Sequence, residues 1–168
     1  VPEQKEALEA VAVISGHIVA QYLVDVASRL SLFGLDGTPR GEIALPGAGS
    51  VDSIGGREDG KAIWYSFTAP LSPLTVYAYD PATKQSTPFE PPQLPVDVSR
   101  FETKPMFAAS KDGTRVPFFL TAKKGLALDG RNPTMLYGYG GFSVSTIPAY
   151  RSDVPAWLEK GGVWVTVS

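Results

Sequence analysis

Apolar residues along this chain come in short strand-like runs, punctuated every several positions by glycine, proline or an Asp-Gly pair. Runs of this length fit strands separated by tight turns rather than amphipathic helices. The pattern predicts strands at 17–24, 29–35, 41–46, 61–67, 74–80, 101–110, 114–123, 133–139 and 162–168. Asp36-Gly37 and Asp112-Gly113 are pairs that readily take positive φ in a hairpin, and Asp80-Pro81 opens a turn by fixing φ at the proline. Helix is predicted twice, over EQKEALEAVAVI (3–14) and over VPAWLEK (154–160). In the second, Pro155 sits in a first turn and Gly161 serves as the cap that ends it.

An internal repeat organises the first half. Sliding 16–36 by 44 positions lays it on 60–80 without a gap: Gly16 meets Gly60, Ser28 meets Ser72, Leu30 meets Leu74 and Asp36 meets Asp80. A period in the forties built from strand, loop, strand and turn is the size of one β-propeller blade of four antiparallel strands. Blades bury their faces only against neighbours, so at least about three are needed for stability. This sequence holds about two, which makes the first half a slice of something larger. The character changes across PFEPPQLPVDVSR (88–100), whose prolines and lack of periodicity mark a linker. Beyond it a hairpin, a strand, a loop, a short helix and a further strand are the expected opening of an α/β sheet.

Composition narrows the chemistry. The 15 Lys and Arg against 17 Asp and Glu give a net charge of −2, which makes no electrostatic case for nucleic acid or an anionic membrane surface as a partner. With no cysteine, disulfides, thiolate metal sites and a cysteine nucleophile are excluded together. The one histidine, His17, would have to serve any Ser/His/Asp arrangement or metal site, and its place in a strand-like run reads as structural. Glu3, Glu6, Glu9 and the Glu58-Asp59 pair are spaced as solvated faces or loops, so no metal or cofactor is expected. Trp64, Trp157 and Trp164 read as core. No apolar run reaches the eighteen or so residues of a membrane span, and VPEQKEALEA lacks the basic-then-apolar order of a signal peptide.

The strongest local signal is PTMLYGYGGFSVS (133–145), where a strand runs into Gly138-Tyr139-Gly140-Gly141-Phe142. Three glycines let the backbone turn sharply while aromatic side chains project from it, the composition of a binding wall or a hydrogen-bond donor. Two catalytic patterns are nearly matched. Gly138 to Ser143 resembles a dinucleotide-binding glycine loop, but Pro148 and Pro155 interrupt the helix that must follow. Gly141-Phe142-Ser143-Val144-Ser145 resembles a nucleophile elbow without its final glycine, and the base it needs, His17, lies in a blade-like strand.

FETKPMFAASKDGTRVPFFLTAKKGLALDGRNPTMLYGYGGF (101–142), followed by PAY (148–150) and WLEKGGVWVTVS (157–168), resembles the prolyl oligopeptidase family of serine peptidases. The SKDGT hairpin, the KKG segment, the NPT and LYGYGGF strand and loop, and the GGV strand come in the family's order. The resemblance implies a mixed fold: the last blades of an all-β propeller over 1–95, then the first strands of an α/β-hydrolase domain over 96–168. It implies an endopeptidase cleaving short peptides on the carboxyl side of proline, with no cofactor. Tyr139 would donate its phenol hydroxyl to the oxyanion, Phe142 would line the pocket for the substrate proline, and Gly138, Gly140 and Gly141 would shape the loop. Partners would be a proline-containing peptide and the remainder of the same enzyme, in the cytoplasm or the bacterial periplasm. The family's serine, aspartate and histidine follow a stretch beyond Ser168, so the chain looks like an internal fragment, inactive by itself. The rival reading is a non-catalytic propeller-type binding module, which should fold alone with no exposed sheet edge.

Overall fold

Period-two alternation becomes three sheets of four strands in the computed structural model, which describes residues 3–142 and 146–168. The first sheet is a meander of β1 (Ala7–Ile14), β2 (His17–Val24), β3 (Ala27–Gly34) and β4 (Pro39–Ile43), and the second repeats it with β5 (Ser50–Gly55), β6 (Ile63–Ala69), β7 (Ser72–Asp80) and β8 (Gln85–Phe89). Every neighbouring pair within these two sheets is antiparallel. Residues 90–97 carry no regular structure, and Val98–Arg100 form a 3-10 turn, with the Asp97 carboxylate accepting from the Ser99 amide, before the third sheet begins.

The helix expected over 3–14 is a strand from Ala7 onward. Ala10, Ala12 and Ile14 turn toward the interior while Glu9, Val11 and Val13 face out, a period of two. Pairing with β2 overrides the modest helical preference of the alanines and glutamates, which propensity alone cannot resist. β5 and β8 are not among the strands the pattern predicts. SVDSIG and QSTPF carry too few apolar residues to register, and they are held by the ladder to β6 and β7.

The repeat is real, but its phase differs from the gapless slide. In the second strand the shift of 44 holds: Val19 and Ile63 are both fully buried. In the third strand it fails, because Gln21 faces Leu30 whereas Tyr65 faces Tyr77, and Val19 faces Leu32 whereas Ile63 faces Tyr79. The true counterpart of Leu32 is therefore Tyr79, three residues beyond the position sequence identity picked out. A register shift between Phe67 and Ala69 takes up part of the difference. Leu74, aligned by identity with buried Leu30, lies exposed.

The main core lies between the two meanders. Ile14, Val19, Leu30, Leu32 and Ile43 pack with Val51, Ile63, Tyr65, Phe67 and Tyr79, and Tyr65 stacks on Tyr77 with ring centroids 5.2 Å apart. Each large apolar side chain so enclosed contributes about 1.5–3 kcal/mol. Burial pushes the phenols of Tyr65, Tyr77 and Tyr79 above their ordinary pKa, which keeps them neutral in this layer. Polar stitches cross the same seam: Gln21 Nε2 donates to the Val51 carbonyl at 2.9 Å, and Ser28 Oγ accepts from the Val51 amide at 2.9 Å. Trp64, expected in the core, sits instead on the opposite face of β6, edge-on to Phe89 at 5.8 Å.

The third sheet has the order β11 (Thr134–Gly138), β12 (Val163–Val167), β10 (Arg115–Lys123), β9 (Phe101–Ala109). β9 and β10 are a hairpin, β12 runs antiparallel to β10, and β11 runs parallel to β12. A parallel pair needs a crossover, and α1 (Asp153–Glu159) supplies it. Val154 and Leu158 of α1 pack on Phe101 and Trp164, with Leu71 from the second meander and Val96 closing the cluster. Pro155 lies in the first turn, as expected. Gly161 takes φ +82° and donates to the Leu158 carbonyl while the Gly162 amide donates to that of Trp157, the paired bonds of a Schellman cap. All three turn expectations hold. Gly37 and Gly113 have φ near +83° and +84°, with the Asp36 and Asp112 carboxylates accepting from the amides of Thr38 and Thr114, and Asp80 accepts from the Ala82 amide.

Candidate functional site

Strand β11 ends where its partner ends, Gly138 opposite Val167, so the chain leaves the sheet at the carboxyl ends of the parallel pair. This is the end at which α/β sheets hold their ligands. Glycine at 140 and 141 then lets the loop fold back, and the ring of Tyr139 lies over Gly141: a Cβ added there would stand 3.3 Å from both Cζ and Oη of the phenol. A side chain at 141 would press directly on the hydroxyl end. Tyr139 itself is half exposed.

Phe142 carries an unusual backbone. Its φ is +58°, the left-handed region that costs a non-glycine residue about 1–3 kcal/mol, and its ring is 93% exposed. An aromatic held at a conformational cost and turned outward fits a residue placed for contact with something else. The structure thus brings Gly138, Tyr139, Gly140, Gly141 and Phe142 into a single loop. Ser143, Val144 and Ser145 of the elbow-like motif lie outside the described residues.

His17 is elsewhere. It stands at the head of β2, where its Nδ1 donates to the Ser15 carbonyl at 2.7 Å across the β1–β2 turn, in the first sheet rather than the third. Ser168 is likewise engaged, its hydroxyl donating to the Thr146 carbonyl and its amide to that of Pro117.

Residues the sequence reading did not single out hold the stretch that follows the loop. Ser50 Oγ donates to the Pro148 carbonyl at 2.8 Å, and Thr68 Oγ1 accepts from the Tyr150 amide at 3.0 Å. Arg151 spreads its guanidinium over two rings of the third sheet, 5.1 Å from the centroid of Tyr137 and 5.2 Å from that of Trp164. It also donates to both carboxylate oxygens of Asp153, at 3.1 and 2.8 Å, and so holds that carboxyl below the usual range. Arg151, Tyr137, Ile147, Trp164 and Thr166, with Pro70 from the β6–β7 turn, line a cavity of about 260 Å³. No periodicity signals such residues, since each acts on backbone or rings remote in sequence.

Comparison with known proteins matches this geometry to one family. The sequence model of the prolyl oligopeptidase N-terminal β-propeller domain matches residues 1–92, the stretch that holds both meanders. Among curated proteins, the chain is 34% identical over 149 residues to the prolyl endopeptidase of Elizabethkingia meningoseptica, covering 89% of this chain and 21% of that protein. It is 27% identical over 168 residues to prolyl oligopeptidase A of Galerina marginata, covering 97% of this chain and 23% of that one. Among solved structures, a prolyl endopeptidase superposes over 100% of this chain and 25% of its own with a TM-score of 0.88 at 36% identity. Prolyl oligopeptidase B of Galerina marginata gives 0.89 at 26% identity, again over 100% of this chain and 25% of that one. The chain therefore spans about a fifth to a quarter of the length of these relatives. With its first 92 residues matched by the propeller model and its whole length superposed on such enzymes, the chain belongs to the prolyl oligopeptidase family.

Proposed function

We propose that this chain is part of a serine endopeptidase that hydrolyses short peptides on the carboxyl side of proline. In this reading residues 1–95 are two blades of the propeller and residues 96–168 open the α/β-hydrolase domain. Relatives named prolyl endopeptidase support the substrate class. The strand order β11-β12-β10-β9, with β10 antiparallel and a helical crossover between β11 and β12, supports the hydrolase assignment.

The observation that carries the mechanistic part is the Tyr139 phenol, half exposed at the carboxyl end of β11 and backed by Gly141. When a nucleophile attacks a peptide carbonyl, negative charge grows on the oxygen, and a fixed O–H aimed at that oxygen stabilises the transition state more than the substrate. Tyr139 serves as that donor. Phe142 offers an apolar ring to the pyrrolidine of the substrate proline, and its outward set makes it a wall of the pocket. The 168 residues alone offer no histidine but His17, tied into the first sheet, and are expected not to cleave peptides.

In the complete enzyme, Tyr139→Phe should lower kcat about 10²–10³-fold with little change in KM, the loss typical of one oxyanion donor. An unchanged kcat would remove Tyr139 from the mechanism. Phe142→Ala should lower kcat/KM for proline substrates by about 10–10²-fold, the worth of one well-buried aromatic contact. A substrate with alanine in place of proline should lose less.

A further inference from the structure

Ser50 and Thr68 are not merely near each other. They are a facing pair in the ladder of β5 and β6, at one end of the second meander. Their hydroxyls reach the same extended segment at alternate positions, one giving a hydrogen bond to the Pro148 carbonyl and the other taking one from the Tyr150 amide. Thr68 Oγ1 also donates to the Ser72 carbonyl at 3.1 Å, which commits its proton and leaves a lone pair for Tyr150. Ser50 is 2% exposed and Pro148 fully buried, so without their mutual hydrogen bond neither group has water to turn to. The segment is pinned again on the other side, at Thr146 by the Ser168 hydroxyl and at Arg151 by the rings of Tyr137 and Trp164. Tyr137 lies two residues before Tyr139, and Thr146 four after Phe142. The loop is thereby bracketed: its entry through Tyr137, its exit by the two hydroxyls.

We propose that the Ser50–Thr68 pair is a positioning clasp by which the second blade sets the loop that carries Tyr139. The idea rests on the reading of Tyr139 as oxyanion donor for its catalytic consequence, though not for its structural one. It reads only main chain, one carbonyl and one amide, so it registers where the segment lies rather than which side chains it bears. A blade of the propeller would then contribute to turnover without touching substrate. Misplacing a catalytic group by about 1 Å is enough to cost up to about 10²-fold.

The test uses the complete enzyme carrying Ser50→Ala with Thr68→Val, which removes donor and acceptor at nearly constant shape. Amide exchange should rise at least about tenfold in 137–142 and 146–150 while β6 and β7 keep their protection. kcat should fall about tenfold or more at little-changed KM, and Thr68→Ser, which keeps the hydroxyl, should behave as the parent enzyme. In a Tyr139→Phe background the same pair of substitutions should add no further loss, because the effect runs through Tyr139. Unchanged exchange in 137–142 would overturn the clasp, and so would an equal loss of kcat in both backgrounds. Should Tyr139→Phe alone leave kcat intact, the donor reading fails, and the exchange data still decide whether the clasp holds the loop.

Discussion

Side by side, Gly161 and Gly162 are required for different reasons. Gly161 sits at φ +82° with open space around its missing Cβ, so any L side chain there pays only backbone strain of about 1–2 kcal/mol, less for asparagine. Gly162 has an ordinary backbone but no room, since a Cβ would overlap Nε1 of Trp157, the atom that donates to the Val163 carbonyl at 3.0 Å. Gly162→Ala should therefore lower stability by about 1–3 kcal/mol through overpacking, and Gly161→Asn by less. Thermal melts of the two variants check the order; a milder effect at 162 would mean that the indole yields. The cap glycine was legible because left-handed termini are written in local sequence. The glycine pressed by Trp157 was not, because space is a property of packing. The same division runs through the candidate site. The loop from Gly138 to Phe142 announces itself as glycines among aromatics, whereas Ser50 and Thr68 act on residues 98 and 82 positions away and look like any other hydroxyls.

Turns are the elements most plainly encoded, and the aspartates that close three hairpins and cap the 3-10 turn tie the fold to pH. The Asp36 carboxyl is held below the ordinary value chiefly by the Thr38 hydroxyl and that of Asp97 by the Ser99 hydroxyl. Asp80 is lowered chiefly by the Ala82 amide and Asp112 by the Thr114 amide. Each binds its proton less readily folded than unfolded, so the unfolded chain takes up more protons in acid and stability rises with pH there. The contribution is whole above the ordinary aspartate value of about 3.9 and disappears as pH falls through the lower folded values. Replacing all four by asparagine should flatten the decline of denaturation midpoints between about pH 5 and pH 2. An unaltered slope would show that these turns do not couple to protonation. Strand bounds are legible where a short apolar run is closed by turn residues at both ends, as in β2, HIVAQYLV between Ser15-Gly16 and Asp25. The pattern failed for β1, where glutamates and alanines mimic a helix until a neighbouring strand claims them, and the repeat misled in β7, where identity at Leu74 and Asp80 ran against the register that packing selects.

Taken whole, the described chain is three sheets joined by two kinds of seam. Between the meanders the seam is mainly apolar and shared, so a substitution in either sheet weakens both: Ile63→Ala, at a site with no exposure, should cost about 2–5 kcal/mol. A loss below about 1 kcal/mol, read from denaturant unfolding, would mean that the neighbouring side chains collapse into the space. Between the second and third sheets the seam is thinner, with Leu71 entering the cluster of Phe101, Val154, Leu158 and Trp164 and two hydroxyls reaching Pro148 and Tyr150. The sandwich of Arg151 on Tyr137 and Trp164 lies at that thinner seam. An indole 6% exposed, with a guanidinium on its face and its Nε1 committed to the Thr166 hydroxyl, emits from a dry and charged setting. If the stretch from Thr146 to Arg151 lifts away, water replaces the cation and the colour of that emission moves to the red. Trp164 is thus a native optical gauge of how firmly the sheet that bears the aromatic loop is seated against the second sheet beside it.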